Sequence, residues 1–104
     1  MSRALLAAAF VAGAAFTSSV SAQGADPNLG RNLAAACANC HGTNGVSPGG
    51  VPSLAGEPRA QISRLMQEFR AGKRPATVMH QLAKGYTDEQ IEALAAYFSA
   101  QKGK

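Results

Sequence analysis

Cys37-Ala38-Asn39-Cys40-His41 forms a C-x-x-C-H pattern that contains both cysteines of the 104-residue chain. This spacing is the attachment signature of a c-type haem. Two thiols three residues apart, near a helix end, can reach the two vinyl groups on one edge of a porphyrin. The histidine that follows then lies under the iron and supplies a ring nitrogen as proximal ligand. We therefore predict one covalent haem c, attached through Cys37 and Cys40 and ligated by His41.

Three other uses of a cysteine pair fit the sequence less well. A zinc site needs a second C-x-x-C or an H-x-x-x-H pair, and the sequence contains neither. A thioredoxin-like redox pair needs a surrounding βαβ pattern, which we do not find. A structural disulfide across two intervening residues would be strained and would stabilise little.

The first 22 residues have the pattern of a secretory signal peptide. Arg3 supplies a positive charge, residues 4–16 are apolar and uncharged, and Val20-Ser21-Ala22 resembles a small-residue cleavage site. The apolar run of 13 residues is too short to span a bilayer. We therefore expect cleavage of residues 1–22 and no stable membrane insertion afterwards. Because c-type haem is attached outside the cytoplasmic membrane, a bacterial-style signal predicts a periplasmic protein.

Residues 23–104 are expected to form one small monohaem domain. They contain nine basic and six acidic residues and no tryptophan. A domain of this size buries little apolar surface by itself, so an enclosed porphyrin would complete its core. The positive charge is too small and too scattered to indicate nucleic-acid binding. It could assist docking to an acidic protein surface, although an ordinary solvated surface explains most of these charges.

Helix signals divide the domain into three main helices and a short one, with no strand pattern. Asp26-Pro27 predicts the start of the first helix, which ends near the cysteines. Glycine, proline, serine and asparagine dominate residues 41–56, which we therefore interpret as a loop. Pro58 starts a second helix that reaches about Ala71, and Gly72 is its stop signal.

The apolar positions of the second and last helices recur with helical spacing. Pro75 interrupts the chain between them, and a short helix containing Met79 is expected to follow it. Thr87 is predicted to cap the last helix, with Gln90 at the capping-box position. The predicted buried faces comprise Ile62, Leu65, Met66 and Phe69 in the second helix, and Ile91, Leu94, Ala95 and Phe98 in the last.

With these elements in place, the chain resembles a class I cytochrome c, an all-α fold wrapped around one covalent haem. The resemblance covers nearly all of residues 23–104, including Pro52-Ser53-Leu54-Ala55-Gly56 and the closing Leu94-Ala95-Ala96-Tyr97-Phe98. It implies that the first and last helices cross with Gly30 against Tyr97. It also implies that the Pro52 carbonyl holds the ring of the proximal histidine, which sets ring orientation and ligand basicity.

The resemblance further implies a methionine thioether as the sixth iron ligand. Met79 lies before the last helix, where the family places this ligand, whereas Met66 lies on an apolar helical stripe and is expected to pack in the core. His80 is a rival for the iron because imidazole also binds haem. Adjacent helical residues point about 100° apart, so only one of Met79 and His80 can face the iron.

The closest sub-group is the cytochrome subunit of flavocytochrome c sulfide dehydrogenase, which Thr77-Val78-Met79 and residues 82–87 resemble. Cytochrome c4- and c553-type domains are also similar. The implied function is one-electron transfer without catalysis, with electrons accepted from a redox partner such as a flavoprotein. Two alternatives stay open: a diffusible carrier serving a terminal oxidase, and a ligand-binding or peroxidatic haem protein from which the methionine has left the iron.

Overall fold

The computed structural model describes residues 26–103, together with the isolated positions Ala9 and Gly13. The predicted signal peptide and its cleavage site lie outside the described residues. Within residues 26–103 the regular structure is entirely helical. Its helices are α1 (Leu29–His41), α2 (Arg59–Arg70), α3 (Met79–Ala83) and α4 (Asp88–Ser99), with a short 3-10 turn at Thr43–Gly45. The all-α prediction of three main helices and a short one is confirmed.

The first helix begins two residues later than predicted. Asp26 does not cap it, and the residue at the N-cap position is Asn28, whose side chain makes no capping hydrogen bond. Asp26 instead closes a turn, because its carboxylate accepts from the Asn28 N–H at 2.8 Å and its carbonyl from the Leu29 N–H at 3.1 Å. The prediction of a helix starting at Asp26-Pro27 was therefore wrong in position, although the acid does organise the approach to α1.

Helices α1 and α4 cross at Gly30, as the resemblance implied. A Cβ atom added to Gly30 would lie 2.6 Å from the carbonyl oxygen of Ala93 and 3.1 Å from Cβ of Tyr97. The two backbones can approach this closely only because position 30 has no side chain. This crossing fixes the direction of α1, and the same helix carries both cysteines.

The start of α4 and the end of α2 follow the predicted signals. The Thr87 hydroxyl accepts from the Gln90 N–H at 3.1 Å, and the Gln90 side chain accepts from the Thr87 N–H at 2.9 Å, which completes a capping box. Gly72 follows α2 with φ 71°. The Gly72 N–H reaches the Phe69 carbonyl and the Lys73 N–H reaches the Glu68 carbonyl, a Schellman closure.

One small apolar core joins the four helices. The predicted faces of α2 and α4 supply most of it, and α1 and α3 each add one alanine. Leu65 and Phe69 of the predicted α2 stripe are only half-buried. The buried cluster comprises Ala34, Ile62, Met66, Ala83, Ile91, Leu94, Ala95 and Phe98.

Candidate haem site

The two cysteines lie inside α1 and not beyond its end. Cys37 and Cys40 are three residues apart, so their side chains project from the same face of the helix. Cys37 is half-buried and packs against the core, whereas Cys40 is exposed, and the two do not form a disulfide. Burial is the main cause that raises the pKa of the Cys37 thiol. The pair therefore presents one inner and one outer sulfur on one helical face.

His41 is the last residue of α1 and its ring is held by the following loop. Its Nδ1 lies 2.6 Å from the carbonyl oxygen of Pro52. A carbonyl only accepts hydrogen bonds, so this contact places the proton on Nδ1 and leaves Nε2 with its lone pair. The resemblance implied this hydrogen bond, and the arrangement matches the way proteins orient a metal-binding imidazole.

Met79 is the first residue of α3 and packs, half-buried, against the same core cluster as Cys37. The thioether of Met79 and the inner thiol of Cys37 therefore both border the apolar core. Met66 is buried within that core at 8% exposure, which confirms its predicted packing role. His80 is half-buried, and its Nδ1 has no hydrogen-bond partner among the described residues.

Arg70 binds the chain that follows α3, the helix that begins with Met79. The guanidinium of Arg70 donates to the carbonyl of Tyr86 at 3.2 Å and forms an ion pair with Asp88. The hydrogen bond from Arg70 is the main cause that lowers the pKa of the Asp88 carboxyl, followed by that from Gln67. The end of α2 therefore holds the connection between α3 and α4, an interaction that the sequence did not predict.

Tyr86 is a second residue near the site that sequence reasoning missed. It packs half-buried against the core, and burial is the main cause that raises its pKa. The charge of a Cys37 thiolate would raise it further. A tyrosine before a helix cap carries no sequence signature of this packing.

The donor set fits a covalent haem c. Two thiols on one helical face, an imidazole with a bare Nε2 and a thioether against the core are the groups this cofactor needs. Val78 precedes Met79 directly and Leu82 follows it by three residues. Their side chains are 52% and 53% exposed, so apolar surface lies next to the candidate ligand. Within residues 26–103, His, Cys, Asp and Glu side chains form no group of three suited to a metal ion.

The family described as cytochrome c oxidase, cbb3-type, subunit III, matches residues 25–98. The chain belongs to this family of cytochrome c domains. Its cofactor is therefore haem c, and the two cysteines of the C-x-x-C-H motif agree with covalent attachment.

Individual relatives support the same assignment. The cytochrome subunit of sulfide dehydrogenase from Chlorobaculum tepidum is 44% identical over 69 residues, covering 66% of this chain and 63% of that protein. Cytochrome c-554(548) from Halomonas halodenitrificans is 32% identical over 81 residues, covering 74% of this chain and 98% of that protein. The chain thus spans less than two thirds of the sulfide dehydrogenase subunit but nearly all of the c-554(548) protein.

A solved structure has the same fold. Reduced cytochrome c4 from Pseudomonas stutzeri superposes with a TM-score of 0.70 at 32% identity, over 76% of this chain and 47% of that one. The class I cytochrome fold predicted from the sequence is confirmed. Since the relatives are cytochrome subunits and carriers, the domain is an electron-transfer domain and not a catalytic one.

Across residues 26–103, each helix is too short or too polar to cross a bilayer.

Proposed function

We propose that the protein is a periplasmic one-electron carrier in which Cys37 and Cys40 hold the haem, with His41 and Met79 as its axial ligands. The observation that carries the proposal is the 2.6 Å hydrogen bond from Nδ1 of His41 to the Pro52 carbonyl. It leaves Nε2 as the only ring nitrogen with a lone pair for iron. A histidine serving only as a helix C-terminal residue would not need a carbonyl eleven residues away to fix its ring.

When bound, the haem supplies a one-electron ferric–ferrous couple, and the protein sets its potential. A methionine ligand and an apolar surround both favour the reduced form, because each disfavours the extra positive charge of the ferric state. Two protein ligands leave no open coordination position, which opposes the ligand-binding and peroxidatic alternative. The apolar run and small-residue motif within residues 1–22 support export to the periplasm.

The partner is proposed to be a dehydrogenase flavoprotein. The similarity to a sulfide dehydrogenase cytochrome subunit supports this choice. The exposed side chains of Val78 and Leu82, beside the candidate ligand, offer the apolar contact that a lasting subunit interface uses. In this arrangement the flavoprotein would oxidise the substrate, and the cytochrome would accept electrons one at a time.

The test is purification of the tagged protein from its own periplasm, followed by assays for flavin and for haem reduction by sulfide. A flavoprotein at near-equal stoichiometry and sulfide-dependent reduction are expected. A matched variant, Val78→Ser/Leu82→Ser, should lose the flavoprotein while it keeps its haem spectrum. Recovery of a flavin-free monomer that sulfide does not reduce would instead identify a diffusible carrier.

A further inference from the structure

The carbonyl oxygen of Pro52 accepts the hydrogen bond from Nδ1 of His41, but it lies in a loop that makes few other hydrogen bonds. Residues 48–53 are exposed, and added Cβ atoms at Gly49 and Gly50 would meet nothing within 4 Å. Proline has no N–H, so Pro52 cannot anchor itself through its own backbone donor. The hydrogen bonds of the residues that follow Pro52 therefore bear directly on the position of its carbonyl.

Three hydrogen bonds with a buried turn hold the chain directly after Pro52. The hydroxyl oxygen of Ser53 accepts from the N–H of Ser47 at 2.9 Å. The carbonyl of Gly45 accepts from the N–H groups of Leu54 and Ala55 at 2.8 and 3.1 Å. Ser53 is thus the first residue after the Pro52 carbonyl that is hydrogen-bonded to the turn, and it makes this bond through its side chain.

The turn that contains Gly45 and Ser47 is itself held by a hydrogen bond and by close packing. Ser47 is buried, with 8% exposure, and its hydroxyl oxygen accepts from the N–H of Gly49 at 3.2 Å. Gly45 has φ 78°, and a Cβ atom there would lie 2.8 Å from the Phe98 ring and 2.9 Å from the Ala55 nitrogen. The turn therefore packs closely against Phe98 of α4, and Ser53 is hydrogen-bonded to this turn through Ser47.

We infer that Ser53 is a positioning residue for the proximal ligand, and this inference rests on the proposed ligation by His41. The Ser53 hydroxyl holds the Pro52 carbonyl in line with Nδ1 of His41. A well-aligned acceptor increases electron donation from the imidazole, which stabilises ferric iron and lowers the reduction potential. Ser53 would thereby tune the potential without touching the cofactor.

The experiment compares haem-loaded Ser53→Ala, Ser53→Thr and Ser63→Ala with the wild type. Ser63→Ala is the matched control, because its hydroxyl is also hydrogen-bonded but contacts Glu92 on the α2–α4 face. Each variant is measured for its midpoint potential and, by NMR, for solvent exchange of the His41 Nδ1 proton. These readouts would not respond to a general loss of stability at a remote serine.

Ser53→Ala should raise the midpoint potential and speed proton exchange by about fivefold, the population change that one net hydrogen bond implies. Ser53→Thr keeps the hydroxyl and should restore both values. A Ser53→Ala protein with wild-type potential and exchange would overturn the inference and leave the ligation intact. An equal shift in Ser63→Ala would also overturn it. A wild-type protein without low-spin haem would refute the ligation, and the inference with it.

Discussion

At the scale of single residues, Met79 and His80 are the two candidates for the sixth ligand. Both are half-buried and adjacent, and the Met79 thioether packs against the core that also contacts Cys37. A thioether needs no hydrogen bond when buried, whereas the buried Nδ1 of His80 has no partner among the described residues. Substitution can distinguish the roles of the two side chains. Removal of the true ligand changes the coordination and reduction potential of the iron, whereas removal of the other side chain does not.

Met79→Ala should lower the reduction potential and allow carbon monoxide to bind the ferrous haem, which the wild type should resist. The shift should be a sizeable part of the roughly 0.8 V range that axial ligands span. Met66→Ala is the matched control, since it removes the same side chain from the buried core. It should cost about 2–5 kcal/mol of stability and leave the potential unchanged. Redox titration with wild-type potential in the Met79 variant would exclude Met79 as ligand.

The sequence predicted some residues of the site and not others, for a physical reason. Cys37, Cys40 and His41 are contiguous, so their spacing alone carries the chemistry. The Ser47–Ser53 hydrogen bond and the 2.7 Å bond from the Tyr97 hydroxyl to Asn44 join common residue types across loops or elements. Such contacts exist only after the chain has folded and leave no pattern in the sequence.

At the scale of helices, periodicity and caps predicted α2 and α4 well, and the start of α1 less well. The capping box joins Thr87 to Gln90, only three residues away, so the sequence of this short segment is enough to predict it. Asp26 is also a residue type that commonly caps helices. In the structure, however, its oxygens accept hydrogen bonds within a turn through Pro27 and Asn28, before the helix begins. A helix cap and this turn would both satisfy the hydrogen-bonding groups of Asp26, so the sequence does not distinguish between them.

Gly30→Ala should destabilise the protein despite the higher helix propensity of alanine, which favours the variant by about 1 kcal/mol. The added Cβ would lie 2.6 Å from the Ala93 carbonyl, so α1 and α4 must separate. We expect a net loss of about 1–3 kcal/mol, measured by chemical unfolding. Asn32→Ala, at an exposed position of α1, is the control and should be neutral or slightly stabilising. Equal stability of the two variants would show that the crossing tolerates a side chain.

At the scale of the whole molecule, the core is too small to account for the fold by itself. Three of its eight fully buried members are alanines, and Val78 and Leu82 are more than half exposed. A domain of this size depends on an additional source of stability, and a covalent porphyrin supplies one. We therefore expect the protein and its cofactor to fold as one unit.

The double variant Cys37→Ala/Cys40→Ala should lack covalent haem and lose its cooperative thermal transition. Its helical circular dichroism should fall well below that of the haem-loaded protein, because the apolar surface meant for the porphyrin stays in water. Ser63→Ala, produced in the same way, serves as the control for expression and maturation. A haem-free variant that melts cooperatively at the wild-type temperature would show that the helices alone suffice.

X-ray absorption at the iron edge of the reduced, haem-loaded protein tests the proposed His41/Met79 ligation most directly. The spectrum should contain one sulfur scatterer in the first shell together with nitrogens, and Met79→Ala should lose the sulfur while His80→Ala keeps it. A wild-type first shell made only of nitrogens would contradict the assignment of Met79 as the sixth ligand.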